Sequence, residues 1–192
     1  MADGGAQGRG TGQRRAAADG GAQGHAGLQT AIIKHWEVIL NMLHGVQIKK
    51  LTRHFDDRGY FMEVLRDDDN LLKRFGQPSF SKSYPGVVKA FHYHEKQDDL
   101  WFFPSGNAQV VLHDMRADSP TKGQTQVVYM GDDNPLLLLI PIGVAHGYRV
   151  LGNEPAVIMY FTTMSYDPKD PDEKRIPWDD PAIGFDWSTQ NR

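Results

Sequence analysis

The sequence predicts an all-β domain, a sandwich or barrel of short strands, on three observations. From residue 46 onward the apolar residues come in brief runs rich in β-branched and aromatic side chains. These runs are cut at regular intervals by turns such as Pro104-Ser105-Gly106, Ser119-Pro120-Thr121, Gly131-Asp132-Asp133-Asn134-Pro135 and Gly152-Asn153-Glu154-Pro155. Almost no stretch of this region carries a helical period.

The elements follow in order. Residues 1–41 form an N-terminal extension and 42–192 the domain. Of the extension, the Gly-, Ala-, Gln- and Arg-rich residues 1–30 are expected to be disordered. Residues 31–43 are interrupted by Lys34, His35, Glu37 and Asn41, and read as a short amphipathic helix. The stretch before Met42 is compatible with an upstream extension of the reading frame, because Met42-Leu43-His44-Gly45-Val46-Gln47-Ile48-Lys49 begins well as a first strand. Strands are predicted over 46–51 and 60–65, separated by the turn Asp56-Asp57-Arg58-Gly59, then over 87–94, 100–103, 108–115, 126–130, 136–140, 148–151 and 156–162. Asp67-Asp68-Asp69 offers an N-cap for one short helix over 70–75, closed by Gly76. From Pro168 the chain is Pro- and Asp-rich and irregular.

Composition narrows the function. At 192 residues one domain with a real core is expected, and the net charge of −3 offers no basic excess for a nucleic-acid partner. There is no cysteine, which excludes disulfides, thiolate nucleophiles and Cys-based metal sites and fits a cytoplasmic protein. No segment is apolar for long enough to span a membrane, and the N-terminus lacks the apolar centre of a secretory signal.

Three features can carry chemistry. The first is Gly86, then His92-Tyr93-His94, Asp99 and Gly106. Strand alternation places His92 and His94 on one face and Lys89 on the other. Paired imidazoles on one wall suit metal ligation or proton transfer. The second is the turn Pro141-Ile142-Gly143-Val144-Ala145-His146, which delivers a third histidine, and the third is Tyr160, whose phenol can face a cavity. Taken singly these residues have plainer readings. His54 and His113 read as surface or satisfied core groups, Asp98-Asp99 as a solvated turn, Tyr160 and the tryptophans as packing. In combination, the spacing around His92 and His94 and the Pro-x-Gly-x-x-His turn match both halves of the cupin signature. The fold is therefore read as a double-stranded β-helix, the cupin or jelly-roll barrel.

Within the cupins the chain resembles the dTDP-4-dehydrorhamnose 3,5-epimerases from residue 46 to 187. The likeness lies in Asp57-Arg58-Gly59-Tyr60-Phe61-Met62-Glu63, Ser81-Lys82-Ser83, Phe91-His92-Tyr93, the segment 114–123, Ile140-Pro141-Ile142-Gly143-Val144-Ala145-His146-Gly147, Tyr166-Asp167-Pro168 and the segment 178–184. The resemblance implies a homodimer acting on a dTDP-4-keto-6-deoxyhexose in polysaccharide or other deoxysugar assembly. It implies no metal or organic cofactor, a site inside each barrel, and a partner subunit that contributes to nucleotide binding. It makes His92 the general base and Tyr160 the general acid. Arg58 and Glu63 fall where the family holds phosphates and base, Phe61 where it packs on thymine, and Lys89 replaces the usual diphosphate-binding Arg. Lys82, His94 and His146 complete the implied substrate-binding set.

The departures concentrate around the base. The family pairs its base histidine with a carboxylate well beyond the equivalent of Trp187, and this sequence ends at Arg192. A family lysine falls at Asp98 or Asp99, a Gln has become His94, and an aspartate has become Val110. The changed residues open a second reading. His92, His94, Asp99 and His146 fill the four ligand positions of metal-binding cupins and suit Fe(II), Mn(II), Ni(II) or Zn(II). His94-Glu95-Lys96 also bears some likeness to the metal-free sugar 3,4-ketoisomerases, and a sugar-binding cupin without catalysis is a further alternative.

Overall fold

The computed structural model describes residues 42–189; the readings of residues 1–41 as an extension and a short helix lie outside them. The described chain forms β1 (Gln47–Lys50), β2 (His54–Asp56), β3 (Gly59–Phe61), β4 (Gln77–Ser83), β5 (Val88–His94), β6 (Asp99–Ser105), β7 (Asn107–Asp114), β8 (Thr125–Gly131), β9 (Leu136–Ile140), β10 (Val144–Leu151), β11 (Ala156–Thr162) and β12 (Glu173–Arg175). All pairings are antiparallel. One five-stranded sheet runs β1-β9-β6-β11-β4 and the other β12-β5-β10-β7-β8, while β2 and β3 make a separate hairpin. This is the all-β class that the spacing of turns predicts, in the jelly-roll form that the cupin signature implies.

Apolar residues on alternate positions face each other between the sheets. Trp101, Phe103 and Ile158 of the first meet Val110, Leu112 and Tyr148 of the second in the central core. The outer faces are covered as well. Leu51, Leu71 and the partly buried Met62, Val64 and Leu65 lie over Leu100, Phe102, Leu137 and Leu139. On the other side Trp187, Ile183 and Phe185 lie over Phe91, Val111 and Ala145. Burial on both faces explains why all five residues of β9, an unbroken Leu-Leu-Leu-Leu-Ile, are buried rather than alternating. The irregular tail beyond Pro168 is thus the cover of the second sheet.

The structure corrects the sequence reading at one helix and at several strands, the one expected over 60–65 ending at Phe61. The helix expected over 70–75 is absent; a single 3₁₀ turn, Asp67–Asp69, stands just before it. Asn70, with φ of 55°, adopts the left-handed conformation that ends a helix, so the acidic run caps a turn and starts nothing longer. Strands β4 and β12 were not anticipated, nor was β2. Among the described residues no helix is long and apolar enough to cross a membrane.

Candidate active site

A cavity of about 870 Å³ opens between the sheets, lined by β4, β5, β6, β10 and β11 and rimmed by β12 and the segment before it. Its walls set polar side chains among apolar ones such as Trp101, Phe91 and Ile158. On β4 the serines alternate inward: Ser79 and Ser81 line the cavity, while Phe80 and Lys82 are exposed on the other face. Tyr160 pairs with Ser79 on one side and Trp101 on the other, so the three share the inner face of the first sheet. His92, His94 and Lys89 come from β5 of the second sheet.

Lys89 corrects the expected alternation. Between β5 and β10 the pairs are His146 with His92 and Tyr148 with Lys89, so β5 spends three residues where β10 spends two. This bulge turns Lys89 to the same inner side as His92, and its Nζ donates to Ser81 Oγ at 3.0 Å across the cavity. Opposite the bulge stands Gly147, where a Cβ would lie 2.3 Å from the Ala90 Cβ. Any larger residue would push β5 away from His146.

Behind the cavity wall the imidazoles gather around one carboxylate. Ring centroids of His92 and His146 are 4.1 Å apart, and those of His92 and His94 5.4 Å. Asp99, 2% exposed, lies with its Oδ2 3.5 Å from both His94 Nε2 and His146 Nε2. Trp101 Nε1 donates to the same oxygen at 3.1 Å and Gln97 Nε2 to Oδ1 at 3.3 Å. His146 Nδ1 donates to the Val144 carbonyl at 2.8 Å, and His94 Nδ1 to that of Asp172 at 3.3 Å. Asp172 also accepts from the main-chain N–H groups of Glu95, Lys96 and Gln97, fixing the β5–β6 loop.

Burial sets the charges. Desolvation, helped by the neighbouring imidazoles, pushes His92 down to about 2, so it is a neutral base. Burial opposes charge on His94 too, but its contact with the Asp99 carboxylate outweighs that and raises its pKa. Burial would raise Asp99, yet the imidazoles of His146 and His94 facing it hold it below the usual carboxylate range.

Of the residues singled out in the sequence, His92, His94, Lys89 and Tyr160 line the cavity, and His146 packs directly behind His92. Arg58, Phe61 and Glu63 lie outside it, on and just after the β2–β3 hairpin. Arg58 pairs with Asp56, Glu63 with Arg66, and Phe61 is 65% exposed. Lys82 points away, toward a groove shared with Asn107 and Asp133. Sequence reasoning missed Arg175, which pairs with His92 on β12 and lines the cavity, and Asp172 behind His94. Both sit in a polar tail without period or motif, so only the β12 pairing reveals them.

An inner cavity that presents a neutral histidine, a tyrosine and a lysine between two sheets defines a cupin-type barrel equipped for acid–base chemistry on a small molecule. A family model described as dTDP-4-dehydrorhamnose 3,5-epimerase matches residues 41–192. Over 151 residues the chain is 72% identical to the spore coat polysaccharide biosynthesis protein SpsL of Bacillus subtilis, which covers 79% of this chain and 100% of that protein. The crystal structure of a dTDP sugar isomerase from Desulfovibrio desulfuricans superposes with a TM-score of 0.72 at 33% identity, covering 78% of this chain and 94% of that one. A Legionella pneumophila dTDP-6-deoxy-D-glucose-3,5-epimerase, solved in complex with dTDP-4-keto-L-rhamnose, gives 0.68 at 31% identity over 77% and 80%. The chain belongs to the dTDP-4-dehydrorhamnose 3,5-epimerase family and is an isomerase of the epimerase kind.

Proposed function

We propose that this protein epimerises a dTDP-4-keto-6-deoxyhexose at the carbons flanking the ketone, in the assembly of a polysaccharide sugar. The observation that carries the proposal is the placement of His92 and Tyr160 on opposite sheets facing one cavity. Inversion requires a proton to leave one face of the sugar ring and another to arrive on the opposite face. Carbons beside a ketone release a proton because the carbanion is stabilised as an enolate. His92, neutral at working pH, accepts that proton, and the Tyr160 hydroxyl donates one from the far wall. No outside oxidant or reductant enters this exchange.

Lys89 and Arg175, two cations on the second-sheet side of the cavity, supply charge for a diphosphate. Arg58, Phe61 and Glu63 serve the nucleotide of a partner subunit in a cytoplasmic homodimer, a role suited to an exposed hairpin carrying Phe55, Tyr60 and Phe61. The role of SpsL in spore coat polysaccharide biosynthesis supports the pathway, and the bound sugar nucleotide of the Legionella enzyme supports the substrate class.

The test is proton exchange. Purified protein incubated with dTDP-4-keto-6-deoxyglucose in deuterated water is expected to place deuterium beside the ketone, followed by NMR. Tyr160→Phe should slow the exchange by about 100-fold or more while leaving the melting temperature within a few degrees. Absence of exchange in the unaltered protein would overturn the proposal.

A further inference from the structure

We infer that His94, His146 and Asp99 form a binding site for one divalent transition-metal ion. The argument begins with the hydrogens. Each imidazole gives its Nδ1 hydrogen to a main-chain carbonyl, Val144 for His146 and Asp172 for His94. A carbonyl can only accept, so in each neutral ring the remaining Nε2 is a bare lone pair. Both Nε2 atoms face the same carboxylate oxygen, Asp99 Oδ2, at 3.5 Å. Three acceptors thus converge in a space where His146 is 1% and Asp99 2% exposed, an arrangement that is costly without something positive between them.

The distances decide what that something is. A direct N–H···O bond would draw nitrogen and oxygen to ~2.7–3.2 Å, shorter than either separation. A proton on His94 would satisfy one contact and leave the other, and His146 Nε2 has no hydrogen-bond partner among the described residues. Two N or O ligands held ~2.1 Å from one tetrahedral cation lie ~3.4 Å apart, close to both observed separations. The ligand atoms of these three residues and of His92 all fall within 4.8 Å of one another, so the reacting histidine stands beside the three ligands.

The supports behind the three ligands match the role. Val144 and Asp172 fix the two tautomers, and Trp101 and Gln97 orient the carboxylate. His92 receives no such support, which leaves it free as the base. A donor set of two imidazoles and one carboxylate selects Zn(II), Co(II), Ni(II), Fe(II) or Mn(II) over Mg(II) or Ca(II). With neutral imidazoles, the cation would turn a net charge of minus one into plus one beside the reacting wall.

The experiment uses the full chain without an affinity tag, stripped by chelator and titrated with Co(II). One Co(II) per chain is expected, reported by visible absorption bands of a low-coordinate ion and by a higher melting temperature. Asp99→Asn, which keeps the shape of the side chain, should weaken binding at least about 100-fold, and His94→Gln should do the same should the first variant fail to fold. Failure to bind Co(II), or equal affinity in a folded variant, would overturn the inference. The readout needs no sugar, so its failure leaves the epimerase proposal standing, and loss of proton exchange leaves the metal site standing.

Discussion

Asp99 and Asp114 are carboxylates buried to 2% and 0% exposure in the same barrel, and they end up serving different purposes. Asp114 is closed. Arg116 grips it with Nε at 2.8 Å and Nη2 at 2.7 Å, its own main-chain N–H donates at 3.1 Å, and the Ser119 and Thr121 hydroxyls fill what remains. All these donors lie within the loop between β7 and β8, so the network locks a turn. Asp99 is open. Two side chains donate to it, while two imidazoles face it at 3.5 Å without a direct hydrogen bond. A buried charge whose acceptors are all used contributes to holding the fold, and one with acceptors left over is available to something else.

The largest effect that could break this contrast is on stability. Asp114→Ala leaves Arg116 and two hydroxyls without their acceptor and should cost about 3 kcal/mol, the low end for a buried pair because Arg116 is partly exposed. Urea unfolding measures it, and the fraction that folds should retain proton exchange. A cost under about 1 kcal/mol would mean that the loop closes without Asp114.

The second effect sharpens the open side through pH. His92 is depressed from 6.5 to about 2 by burial, so below pH 6.5 the unfolded chain takes up a proton that the folded chain refuses. This contribution is complete above pH 6.5 and is lost as pH falls toward 2. Across the acid side of that window its loss is about 1.4 kcal/mol per pH unit. Comparing the unfolding free energies of the unaltered chain and His92→Asn between about pH 6 and pH 5 should show a slope shallower by about 1 kcal/mol in the variant. Parallel slopes would show that the imidazole is hydrated in the folded protein. The smallest effect is expected at Lys82, on the far face of β4: Lys82→Ala should change stability by under about 0.5 kcal/mol and leave the exchange rate unchanged. A fall in rate would place Lys82 in a site built between two copies.

The sequence made the strands legible where side chains pack against apolar neighbours. Leu136–Ile140 and Ala156–Thr162 are found at their expected boundaries because their alternation or continuous burial answers to a core. It misled where the inner face is a cavity. On β4 the serines point in and Phe80 and Lys82 point out, an inversion of the usual pattern, and Pro78 further disguises the strand. β12 reads as Glu-Lys-Arg, a charged edge with no period. At the site, the spacing of His92 and His94 and the turn to His146 were enough to bring the histidines together. The position of Lys89 was not legible, because a bulge is decided by the partner strand. The convergence on Asp99, which depends on how the two sheets stack, was legible only through the likeness to metal-binding cupins.

That bulge gives β5 two phases, one counted from Lys89 and one from His92, joined between them. A point substitution on either side alters one side chain at a time. A single-residue insertion or deletion between residues 89 and 92 would instead shift the phase, sending the lysine or the histidines out of the barrel. The chemistry of this wall is therefore governed by length as well as by composition, and the short segment 89–92 is where natural or engineered indels would exchange one set of inward groups for another.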